Sequence, residues 1–125
     1  MNREDLKQAR EHWYAAYFAG DIEYLVRVQA DSFTVATERG VQSKKSQIDA
    51  IALAKRNGSW FPQGGEKQDT ELSFQESNGS ITTVTGKGIT LTGESKGPVV
   101  AFIETWEWKG SAWQVVSLSY GAALN

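Results

Sequence analysis

Few side chains in this sequence have the chemistry of a reactive site, and Glu104 is the foremost of them. Phe102, Glu104, Trp106 and Trp108 alternate along a strand-like run, so the carboxylate shares one face with three aromatic rings. A carboxyl group in such surroundings either stays neutral or finds a partner. Glu104 is therefore a site acid or base, or else a structural carboxylate tied to a backbone or tyrosine donor. The chain has one histidine, His12, and no cysteine, which excludes thiolate nucleophiles, disulfides, thiolate zinc and multi-histidine metal centres. His12 lies beside an apolar helical stripe rather than on it and reads as a surface imidazole. No serine stands in a nucleophile-elbow string. Gly64-Gly65 and Gly86-Lys87-Gly88 lack the strand-to-helix context of a phosphate loop. No metal and no cofactor are expected.

The elements that must position Glu104 follow from periodicity. Leu6, Ala9, Trp13, Ala16 and Tyr17 recur at helical spacing, Gly20 suits the left-handed closing residue, and Asp21 caps a second helix running to about Ala30. Ser32 to Ala36 is a short strand and Glu38-Arg39-Gly40 a turn. Ser43 caps a third helix carrying Ile48, Ile51, Ala52 and Lys55, which Asn57-Gly58 ends. The second half changes period: Thr70 to Gln75, Ser80 to Thr92, Val99 to Trp108 and Trp113 to Tyr120 are rich in β-branched and aromatic residues. Asn78-Gly79 is a strong hairpin signal, and Gly93 to Pro98 and Lys109-Gly110 supply the other turns. The order predicts an α+β domain with helices on one face of a four-stranded antiparallel meander.

With 125 residues, 40% hydrophobic and 22% charged, the chain is expected to form one soluble domain, residues 1–125, without repeats or linkers. A net charge of −2 supplies no basic footprint for nucleic acid or an anionic membrane. Met1 to Gln8 is charged from the start, unlike a signal segment, and no run approaches the roughly 20 apolar residues of a membrane span. A cytoplasmic location is expected.

Several strings, in this order and spacing, resemble the nuclear transport factor 2-like superfamily, which includes ketosteroid isomerases, scytalone dehydratase and SnoaL-like polyketide cyclases. They are Tyr17-Phe18-Ala19-Gly20-Asp21, Ala30-Asp31-Ser32-Phe33-Thr34-Val35, Phe102-Ile103-Glu104-Thr105-Trp106 and Trp113-Gln114-Val115-Val116-Ser117. The resemblance covers essentially the whole chain and implies a cone-shaped fold, with three N-terminal helices packed on a curved antiparallel sheet. A first-helix tryptophan and the Trp-Gln-Val-Val strand look closest to uncharacterised SnoaL-like members. Matched residue by residue, the isomerase's oxyanion tyrosine falls on Trp13, its base on Thr37 and its hydrogen-bonding acid on Glu104. Only the last keeps its chemical type, so the isomerase set is incomplete. Tyr14 and Glu38 are one residue away; the apolar stripe favours Trp13 over Tyr14, and Glu38 reads as a solvated turn residue. One histidine cannot supply the histidine pair of scytalone dehydratase.

The cone's interior is expected to hold Trp13, Tyr17, Phe33, Ile51, Trp60, Phe61, Glu104, Trp106, Leu118 and Tyr120. The resemblance adds Thr82, Val84, Gly86 and Gly88, whose glycines either open room for a ligand or let an indole lie on the backbone. The expected function is binding of a small, largely apolar molecule in this pocket, with Glu104 predicted to face it. One alternative is a pocket isomerase, dehydratase or cyclase using Glu104, with Trp13, Tyr17 or Tyr120 orienting the substrate. Another is a non-catalytic assembly domain. Because the last two strands are apolar on both faces, their outer face (Thr105, Glu107, Trp113, Ser117, Ser119) is expected to meet a second copy of the chain.

Overall fold

A computed structural model describes residues 5–124; Met1–Glu4, part of the charged opening, and Asn125 lie outside the described residues. The chain order is α1 (Leu6–Ala19), α2 (Ile22–Val28), β1 (Gln29–Thr37), β2 (Gly40–Ser43), α3 (Lys44–Arg56), β3 (Glu66–Ser77), β4 (Ile81–Thr92), β5 (Ser95–Lys96), β6 (Val100–Trp108) and β7 (Trp113–Ala123). The local signals act where they stand. Gly20 closes α1 at φ 69°, the Asp21 side chain accepts from the Tyr24 N–H, and the Ser43 hydroxyl accepts from the Ser46 N–H. Asn78 and Gly79 both adopt positive φ, 45° and 80°, in the β3–β4 hairpin.

The sheet is mixed rather than antiparallel throughout. Its order is β2-β1-β7-β6-β4-β3, with β5 beside β4, and β1 runs parallel to β7. The parallel pair exists because β7 returns after α3 and the meander to lie beside β1, and no local pattern announces such a long-range pairing. β2 and β5 are additions to the expected strands, and β3 begins at Glu66 rather than Thr70.

Three helices and the curved sheet enclose a core of Leu25, Phe33, Ile51, Val84, Phe102, Trp106 and Val115, each at most 2% exposed. One inner row runs Phe74–Val84–Glu104–Leu118–Val35 across five strands, and the next runs Gly86–Phe102–Tyr120. Between these rows and Trp113 the register slips: Thr105 pairs with Ser117 but Trp106 with Val115, leaving Val116 as an extra residue. This bulge corrects the expected outer face. Trp113 points inward, 5% exposed, with its ring 5.3 Å from that of Trp108. Thr105, Ser117 and Ser119 do share the outer face, joined by Ile103, which is 51% exposed. Among the described residues, no helix is long and apolar enough to cross a membrane.

Candidate functional site

Glu104 is fully buried and each of its oxygens accepts two donors. Arg10 Nε and Trp106 Nε1 reach Oε1 at 2.6 and 2.8 Å; Arg10 Nη2 and the Tyr14 hydroxyl reach Oε2 at 2.6 and 2.5 Å. A carboxylate offers about four lone-pair positions, so these donors saturate it. Arg10 also contacts Asp69 at 3.1 Å, and Asp69 holds Lys67 at 2.5 Å. Two cations and two carboxylates thus form one buried, charge-balanced cluster. The Lys67 ammonium lies 3.6 Å from the Phe102 ring centroid and 4.3 Å from that of Tyr14. Burial alone would lower the Arg10 pKa, but the hydrogen bond and charge of Glu104 outweigh it and raise it. For Lys67 burial prevails over Asp69 and the pKa falls.

The expectation that Glu104 faces the cavity is therefore corrected. The carboxylate stands behind the wall, and Tyr14 separates it from the cavity. α1 makes this possible because Arg10 and Tyr14 are one turn apart and both approach the sheet. The stripe Leu6, Ala9, Trp13, Ala16 and Tyr17 has Arg10 and Tyr14 along its margin, which is the signal that identifies them. Lys67 and Asp69 are inner-face alternates of β3, outside the strand read from sequence. Gly88 opposes Asp69, and a Cβ there would meet Lys67 Cε at 2.8 Å, so this glycine makes room for the ion pair.

A cavity of about 350 Å³ opens between α1, α3 and the sheet. Of the expected pocket residues, Trp13, Tyr17, Ile51, Trp60, Leu118 and Tyr120 line it. Tyr14, Val35, Thr37, Gln42, Gln47 and Ala50 complete the wall. An adjoining chamber of about 460 Å³ shares Tyr14, Tyr17, Thr37 and Tyr120, and adds Phe61, Lys67 and the rim residues Glu38 and Arg39. Phe33, Val84 and Trp106 are packed in the core and line neither chamber. Gly86 opens no space either: a Cβ there would lie 3.1 Å from Phe102 Cζ, Leu72 Cδ2 and the Thr70 carbonyl oxygen. A phenyl ring, not an indole, covers it. Thr82 is buried. His12 is exposed, stacked on Tyr24 with ring centroids 4.0 Å apart.

The wall's polar groups are few. Trp60 Nε1 donates to the Tyr17 carbonyl at 2.7 Å, which fixes that indole as the cavity's lid edge. Buried Trp13 stands edge-on to Trp106 and Phe33, and its indole N–H finds no hydrogen-bond partner among the described residues. Burial raises the pKa of Tyr14, Tyr17 and Tyr120, and the Glu104 charge adds to the effect for Tyr14 and Tyr120. Among the described residues, no three histidine, cysteine or acidic side chains are grouped as a metal site would need.

Comparison with solved structures places this architecture. A nuclear transport factor 2-like protein of unknown function in nutrient uptake from Rhodospirillum rubrum is similar over 97% of this chain and 100% of its own, with a TM-score of 0.73 and 17% identity. ActVI-ORFA from Streptomyces coelicolor matches with a TM-score of 0.75 and 9% identity over 93% of both chains. A candidate Ca/calmodulin-dependent kinase II association domain from Exiguobacterium sibiricum matches at 0.70 and 12% identity, over 100% of this chain and 98% of its own. At these identities the likeness shows the fold, which is the nuclear transport factor 2-like, cystatin-like α+β fold. No family model matches the sequence, and neither does any curated protein.

Proposed function

We propose that this protein binds a small, largely apolar molecule in the cavity between α1, α3 and the sheet. The observation that carries the reading is the position of Tyr14. Its hydroxyl is held at 2.5 Å by a saturated carboxylate, in the wall of a cavity otherwise built mainly from rings and aliphatic groups. A few fixed polar groups in an apolar concavity are what orient a small ligand. Binding without turnover is the favoured form. Acid–base chemistry at Glu104 needs a free lone pair or proton facing the substrate, and all four positions are taken. The raised tyrosines likewise resist becoming phenolates.

The test is titration of the protein with 2-methoxynaphthalene, followed by quenching of the cavity tryptophans Trp13 and Trp60. Saturable one-to-one binding is expected, and Ala50→Phe, a change at an exposed helical position on the cavity rim, should weaken it at least tenfold. Unsaturable quenching, or saturation that ignores Ala50→Phe, overturns the reading.

A second copy of the chain on the outer sheet face is a compatible further reading. The rows Thr85–Ile103–Ser119–Ala36 and Thr83–Thr105–Ser117–Thr34 cover that face with small and β-branched side chains around the half-exposed Ile103. Charge is sparse there, as an interface core requires. The likeness to an association domain supports the same reading.

A further inference from the structure

We infer that Gln47 sets the ligand class of the cavity: with its oxygen committed to the buried Gln29 side chain, its Nε2 donates to a carbonyl oxygen of the apolar molecule bound there. The inference deepens the binding function proposed above and rests on it.

Gln29 and Gln47 meet where the end of α2 approaches the start of α3. Gln29 is 1% exposed; its backbone N–H donates to the Leu25 carbonyl, and its own carbonyl accepts from Lys44 Nζ at 2.8 Å. Lys44 also donates to the Val26 carbonyl at 2.8 Å, so the first turn of α3 is stitched to the α2–β1 junction and carries Gln47 with it. Gln29 Nε2 donates to Gln47 Oε1 at 2.9 Å, and Gln29 Oε1 finds no partner among the described residues. Exchanging oxygen and nitrogen in both amides would keep one hydrogen bond but strand two N–H donors of Gln29 in a buried place. A buried carbonyl oxygen without a partner is tolerated more readily than a buried N–H without one, so Gln47 is the acceptor of the pair.

The other arm of the Gln47 amide is then a donor of fixed direction. Its Nε2 has no partner among the described residues, and the residue lines the cavity one turn before Ile51. Other donors on this wall are spent or indifferent. The Trp60 N–H is taken by the Tyr17 carbonyl and the Tyr14 hydroxyl by Glu104. The hydroxyls of Tyr17, Thr37 and Tyr120 donate or accept as a ligand requires. Gln42 is less buried, and its Nε2 points to the Ser46 hydroxyl at 3.5 Å. A wholly apolar ligand would shut the Gln47 N–H groups away from water and leave them unsatisfied, which costs the desolvation of both. A carbonyl has two lone pairs and no proton of its own to place, and so matches this donor.

Two probes of one shape test this: 2-acetylnaphthalene, which brings a carbonyl oxygen, and 2-isopropenylnaphthalene, which has a methylene in its place. Binding to the intact protein is read by tryptophan quenching at neutral pH. The ketone should bind about tenfold more tightly than the alkene, and Gln47→Met, close to glutamine in shape, should reduce that ratio to about twofold or less. The carbonyl stretch of bound 2-acetylnaphthalene, read by infrared difference spectroscopy, should lie below its value in cyclohexane and return toward it in Gln47→Met, a change that loosening of the fold does not produce. The readings on wild-type protein stand even if the variant fails to fold. Equal affinity for ketone and alkene, an unshifted stretch, or a ketone advantage that survives Gln47→Met overturns the inference and leaves the binding function standing. Failure of both probes to bind overturns both.

Discussion

Arg10 and Glu104, 94 residues apart, meet through two hydrogen bonds of 2.6 Å, and neither side chain is more than 3% exposed. This pair joins the first helix to the middle of the sheet and sets where the cavity wall stands. An ion pair so deeply buried is a weak source of net stability, because desolvation offsets most of its attraction. Breaking it is another matter.

Arg10→Met should destabilise the fold by about 3–5 kcal/mol, since Glu104 and Asp69 lose a shared cation while still buried. Urea unfolding measures this. The double variant Arg10→Met/Glu104→Met should be less destabilised than the sum of its parts by at least about 1 kcal/mol. A single-variant loss below about 1 kcal/mol, or strict additivity, would show that the cluster does not act as a unit.

Alkaline pH should unfold the protein before it ionises its interior tyrosines. Tyr14, Tyr17 and Tyr120 all have raised pKa values, burial being the first cause in each. A raised value in the folded state means that the unfolded chain releases these protons first, so stability is whole below the ordinary value of 10.0 and falls as pH climbs past it. Lys67 works the other way: its lowered value makes the ammonium a burden that fades as pH approaches its ordinary 10.5. The net fall should therefore be steepest above that pH. Phenolate absorbance at about pH 11 should show no more than one of the four tyrosines ionised while the fold persists. Ionisation of several tyrosines in still-folded protein would contradict the burial of these hydroxyls.

Ile103→Asp places a charge at the centre of the outer face, where Ile103 is half exposed. If a second copy covers that face, sedimentation should show wild-type protein at twice the chain mass and the variant at the chain mass, 13.8 kDa, with stability changed by less than about 1 kcal/mol. A wild type that sediments as a single chain at micromolar concentration removes the outer face from consideration.

Much of the fold was legible because its signals are local. Gly20, Asp21, Ser43 and the Asn78-Gly79 turn need only their own few neighbours to act as they do, and helical or strand periodicity needs only a turn or two of chain. Trp113 shows where this stops. Alternation counted from Ser117 puts it outside, but the extra residue Val116 reverses the parity, and a bulge is a property of two paired strands rather than of either one. Glu104 shows the same limit in chemistry. Its aromatic row was visible along β6, yet whether its carboxylate met a ligand or a partner depended on Arg10 arriving from α1.

What the sequence by itself determined is the set of elements, their caps and turns, and the inward face of Phe102, Glu104 and Trp106, because backbone geometry and side-chain period dictate these within a few residues. Tertiary structure alone decided the parallel β1–β7 pair, the saturation of Glu104 by Arg10, Tyr14 and Trp106, and the space left between Tyr14, Tyr120 and Trp60. Each of these is a contact across tens of residues, and its geometry is settled by how whole elements pack against one another.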